Sequence, residues 1–107
     1  MPLQNTNEID VLSLNEETGV VSLGIIDSLS WDDEERHLLL LQEKLNVYLS
    51  FIESGEIYTS YEGSEGKEFE IKIFFKYQLP DSCKNFLNQV KEIISAAGFY
   101  FTYQIGA

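Results

Sequence analysis

Glu34 and His37 stand three residues apart in the run WDDEERHLLLLQEKLNVYLSFIESGE, Trp31 to Glu56. On a helix that spacing turns both side chains to one face, and paired Glu-x-x-His motifs supply ligands to the di-iron centres of helix bundles. Such a centre also needs a second Glu-x-x-His and two further helical glutamates. This chain has a single histidine. The metal-dependent hydrolase that the pair would imply is the reading the chain supports least, and neither a metal nor a cofactor is expected. The four consecutive carboxylates Asp32, Asp33, Glu34 and Glu35 offer hard oxygen donors, but a dedicated cation site needs ligands that converge from a loop. Consecutive side chains entering a helix diverge. The loops at Asn15–Thr18 and Glu62–Glu65 lack the spaced Asp and Asn ligands of a calcium loop. The simpler reading is that the four acids complement the positive end of a helix dipole, with His37 paired to Asp33 one turn earlier.

Nucleophilic chemistry has one candidate, Cys83, which would need His37 as its base. Cys83 falls on the apolar stripe of a helix, so an inert core thiol is expected. A lone cysteine cannot form an internal disulfide, and the default compartment is a reducing cytoplasm. No Gly-x-Ser-x-Gly, Walker A or Gly-x-Gly-x-x-Gly motif occurs. The chain reads as a non-enzyme with no catalytic residue.

The net charge of −11 argues against nucleic acid, whose phosphates call for basic residues, and against anionic membrane surfaces. It favours a basic protein partner. Residues 1–36 hold nine acids and one base, Arg36, whereas the remainder holds nine acids and six lysines. The negative surface is therefore concentrated in the first third, and most densely at Asp32–Glu35. The start MPLQNTNEID has neither a basic segment nor a long apolar run, so no signal peptide is expected.

These residues must be positioned by one domain, since 107 residues leave room for a single core. Residues 1–8 read as a frayed start and residues 9–107 as the domain. Ile9–Leu14 and Val20–Ile26 are β-prone runs around a polar loop ending in Gly19, which suits a hairpin. A helix begins near Asp32 or Asp33; Asp32 serves as N-cap, with Glu35 three residues on as its capping-box partner. Leu38, Leu41, Leu45, Tyr48 or Leu49, and Ile52 form its stripe, and Ser54-Gly55 ends it. Glu56–Tyr61 fits either a helical turn or an extended segment, and Glu62–Lys67 a loop.

Phe69–Tyr77 alternates as a strand with Phe69, Ile71, Ile73, Phe75 and Tyr77 inward. A second helix follows Pro80, with Cys83, Phe86 or Leu87, Val90, Ile93 or Ile94, and Ala97 buried. A last strand spans Phe99–Ile105. The order ββαβαβ gives an α+β two-layer sandwich: a four-stranded mixed sheet with two helices on one face. Phe74 and Tyr100, with Leu12 and Ile26, then fall on the uncovered face. If adjacent, they form an apolar patch for self-association, with a homodimer as its outcome.

The run WDDEERHLLLLQEKLNVYLSFIESGE followed by FEIKIFFKY and a closing helix and strand resembles a family of small bacterial proteins known only as a domain of unknown function. The resemblance covers Ile9 to Tyr103 and carries over no activity and no site. Two functions are thus weighed. The first is a non-catalytic acidic module for a basic protein partner, of which a toxin-neutralising immunity protein is one form. The alternative is a self-associating structural or accessory domain that pairs through Phe74 and Tyr100.

Overall fold

Asn15 turns the chain back on itself at the first hairpin. Its Oδ1 accepts from the backbone N–H of Glu17 and Thr18 at 3.0 and 3.3 Å, and its carbonyl accepts from Gly19 N at 2.8 Å. Gly19 sits at φ 72°, a left-handed conformation that glycine adopts without a Cβ clash. The computed structural model describes residues 8–61, 63–64 and 66–106. Residues 1–7 of the frayed start expected for residues 1–8, and Glu62 and Glu65 of the expected loop, lie outside the described residues.

The elements are β1 (Val11–Asn15), β2 (Val20–Asp27), α1 (Glu34–Glu53), α2 (Glu56–Ser60), β3 (Glu68–Phe75), α3 (Asp81–Ala96) and β4 (Tyr100–Ile105). The sheet runs in the order β1-β2-β3-β4. β1 is antiparallel to β2, while β2, β3 and β4 are parallel neighbours. α1 bridges β2 to β3 and α3 bridges β3 to β4. Crossovers of one hand stepping the same way across a sheet lay their helices on the same face. The α+β sandwich follows: Val21, Leu23, Ile25, Ile71, Ile73 and Phe75 point from the sheet into one core with Leu41, Leu45, Tyr48 and Ile52 of α1 and Leu87, Val90 and Ile94 of α3. Each such side chain contributes roughly 1.5–3 kcal/mol by leaving water.

Several local expectations change. The N-cap of α1 is Asp33, not Asp32: Asp33 Oδ1 accepts from Arg36 N at 3.2 Å, whereas Asp32 accepts from Ser30 Oγ in the preceding turn at 2.9 Å. Glu56–Ser60 is a short helix, so three helices rather than two adjoin the sheet. β3 ends at Phe75, and Tyr77 is exposed. On α3 it is Leu87 and Ile94 that are buried, while Ile93 is 61% exposed. Leu12 faces the core, because it pairs with Leu23; its neighbour Val11 pairs with Gly24 on the open face.

Candidate functional site

In a parallel sheet every strand hands over to its helix at the same end. β2 and β3 finish together, Asp27 beside Phe75, and α1 and α3 start just beyond them. Ser82, in the first turn of α3, donates from Oγ to Glu34 Oε1 of α1 at 2.6 Å. This contact brings Asp81 to the end where Asp32, Asp33, Glu34 and Glu35 lie, and all five are exposed. Asp81 belongs to this acidic end although it lies 46 positions beyond Glu35. The ββαβαβ order carried the signal, since it fixes which helix starts are neighbours.

Among the described residues no ion pair reaches that end. The two close pairs among those residues are His37–Asp27 and Lys44–Asp10, and both His37 and Lys44 are fully buried. The exposed carboxylates are held by hydrogen bonds only, as at Asp32, Asp33 and Glu34.

Beneath the acidic end lies a closed polar cluster. His37 Nε2 meets Asp27 Oδ2 at 2.5 Å, and its Nδ1 donates to the Ser30 carbonyl at 3.0 Å. Trp31 stacks on the imidazole, with ring centres 3.6 Å apart and planes 13° from parallel. Asp27 Oδ1 accepts from Leu29 N at 3.1 Å. The expected pairing of His37 with Asp33 is thereby replaced: one turn of helix separates those two, but His37 points inward and Asp33 caps the helix outward. Both ring nitrogens are occupied, so His37 has none left for a metal or a substrate proton. Glu34 turns instead to Ser82, so the Glu34–His37 pair does not converge. Among the described residues no three His, Cys, Asp or Glu side chains come together to hold a metal ion.

Cys83 is fully buried. Burial pushes its thiol up to about 12, and the Asp27 charge adds to the effect. A thiol held protonated is a poor nucleophile, and His37 is committed elsewhere. The two do not make a catalytic dyad.

A second buried network joins β1, β2 and α1. Lys44 Nζ lies 2.7 Å from Asp10 Oδ1, and Asp10 Oδ2 accepts from Ile26 N at 3.0 Å. Asp10 N donates to Tyr48 Oη at 2.8 Å, and Tyr48 donates onward to the Gly24 carbonyl at 2.6 Å. Burial holds the Tyr48 phenol well above its ordinary value. This network ties the edge strand to the helix layer.

The open face of the sheet does not bring Phe74 and Tyr100 together. Phe74 pairs with Ile26 and Gln104, whereas Tyr100 pairs with Glu70, four positions down the strand. Lys72 lies between them, its ammonium 5.1 Å from the Phe74 ring. Tyr100 donates to Glu68 Oε2 at 3.1 Å, and Glu70 accepts from Ser22 at 2.7 Å and Thr102 at 3.2 Å. Ile26 adjoins Phe74, but Leu12 is on the other side. Gly24 leaves room beneath the Phe74 ring: a Cβ there would stand 3.1 Å from Phe74 Cε2.

Among the described residues no helix is long and apolar enough to cross a membrane. The chain belongs to a family of unknown function (DUF6572), whose profile matches residues 1–107. No curated protein and no solved structure matches it.

Proposed function

We propose that this family member is a non-catalytic acidic binding module whose ligand is a basic protein. The single observation that carries the reading is the acidic end. Two helix starts gather Asp32, Asp33, Glu34, Glu35 and Asp81, while buried Lys44 pairs with Asp10 and His37 with Asp27. Exposed like charges repel one another, and a basic surface laid against them relieves that repulsion while speeding encounter. The helix dipoles favour acids at these positions, which accounts for one or two carboxylates per helix; it does not call for five at one end. A toxin-neutralising role in the bacterial cytoplasm is the specific form proposed, because a small acidic domain can blanket the basic surface of a secreted enzyme.

The test removes charge and keeps the cap. Asp32→Asn, Glu34→Gln, Glu35→Gln and Asp81→Asn are combined, with Asp33 left in place. The partner is first captured from the native host with the wild-type chain and then purified. Binding to it should fall at least about tenfold, which is about 1.4 kcal/mol, and its salt dependence should flatten. Unchanged affinity and salt slope in a folded quadruple variant would sink the reading.

A further inference from the structure

The sheet has two edges, β1 and β4, and they differ in how they are guarded. Natural sheets protect exposed edges with charges, proline, bulges or short strands, because unpaired N–H and C=O groups invite another strand. β1 is five residues long and runs into Glu16 and Glu17; two copies meeting there would oppose like charges. β4 is the six-residue run YFTYQI, with no charge and no proline. Tyr100, Tyr103 and Ile105 on it are 51, 44 and 38% exposed. The two tyrosines, aromatic bodies with polar tips, are of the kind enriched in interfaces.

From this edge we infer that the protein forms a two-fold dimer in which β4 pairs antiparallel with β4 of a second copy, giving one continuous eight-stranded sheet. Charge selects the occupant. A chain of net −11 repels its own copy across most of its surface. Along the β4 edge two copies can approach without presenting free carboxylates. Glu68 and Glu70 stand one strand inward, and each already accepts from a β4 hydroxyl.

The register follows from the faces. Tyr100, Thr102 and Gln104 lie on the open face, opposite Glu70, Lys72 and Phe74. Phe101, Tyr103 and Ile105 lie on the core face, opposite Ile71, Ile73 and Phe75. Strands in one sheet pair residues of the same face, and a two-fold axis maps the strand onto itself in reverse. The axis must therefore pass through a residue, not between two. Placing it at Tyr103 sets Tyr103 against its own copy and Phe101 against Ile105 of the second copy. This register extends the core-face apolar row across the junction. Thr102 then faces Gln104 of the second copy on the wet side.

The experiment is sedimentation of the full chain from about 1 to about 200 µM, where mass action reveals a dimer, together with amide exchange over residues 100–105. The wild type should show twice the monomer mass and slow exchange along β4. Tyr103→Lys should give a monomer with native circular dichroism. If that variant fails to fold, Gln104→Lys, which alters only the wet side, serves as the second reading. Tyr103→Cys should form a disulfide-linked dimer under mild oxidation, since Cys83 is buried. A wild type that stays monomeric throughout, or a dimer that persists unchanged in a folded lysine variant, overturns the inference. So does an edge that becomes protected only when a different protein is added.

Discussion

Lys44 lies on the same stripe of α1 as Leu41 and Tyr48, and its ammonium sits 2.7 Å from the carboxylate of Asp10, fully out of water. A carboxylate placed at that point helps make a lysine tolerable on a core-facing stripe. Asp10 stands just before β1, and its second oxygen takes the Ile26 amide where the β1–β2 ladder ends. One residue thus neutralises a buried charge and closes the sheet.

Removing one partner should cost far more than the pair contributes. Asp10→Asn is expected to destabilise the fold by about 3 kcal/mol, because it strips the charge that balances Lys44. Adding Lys44→Met should recover a good part of that loss. Urea unfolding of the two single variants and the double variant measures the coupling, and simple additivity would contradict this account.

His37 predicts a negative result with metals. Both nitrogens are engaged, by Asp27 and by Ser30, so added zinc or manganese should leave the melting temperature unchanged. The His37→Gln variant should melt lower than wild type by several degrees, because the Asp27 carboxylate loses its partner in a buried site. Thermal scans with and without metal check both statements. A metal-dependent rise that vanishes in His37→Gln would overturn the first.

These two polar contacts mark the limit of what the chain reveals unaided. The stripes of α1 and α3, the hairpin at Asn15–Gly19 and the alternation of β3 are periodic, so they can be read locally. His37 and Lys44 occupy stripe positions in step with Leu41 and Tyr48, which signals burial. Their partners lie 10 and 34 residues away, and no local pattern points to them. The face of Leu12 was hard to read for a related reason. In Ile9–Leu14 both alternate sets contain apolar residues, and the pairing with β2 decides between them. The acidic end was visible through Asp32–Glu35, but Asp81 joins it only through the parallel crossover.

Cys83 gives a pH signature. Its thiol titrates at 9.0 in an unperturbed chain and at about 12 in the fold, so the folded state holds the proton more tightly. The stability that follows is complete below about pH 9 and is lost as pH rises through 12. Tyr48 acts in the same direction at still higher pH. The protein should therefore lose stability at the alkaline limb, and Cys83→Ala should show a shallower loss there. The same burial predicts that Ellman's reagent reacts with the thiol only upon unfolding. Rapid labelling of the native protein at pH 8 would contradict this.

Asp32, Asp33 and Glu35, at the start of α1, should separate when truncated singly. Asp33 accepts from Arg36 N as the N-cap, and Asp33→Ala is expected to cost about 1 kcal/mol of stability. Asp32 bonds only to the Ser30 hydroxyl, on the exposed side of the preceding turn, and Glu35 is likewise exposed. Asp32→Ala and Glu35→Ala should each stay within about 0.5 kcal/mol of wild type. Binding to a basic partner should show the opposite order, with Asp32 and Glu35 weighing at least as much as Asp33, because nothing in the fold depends on their charge. Denaturation and titration of the three variants decide the point. If the loss of affinity simply tracks the loss of stability, the acids serve the helix alone.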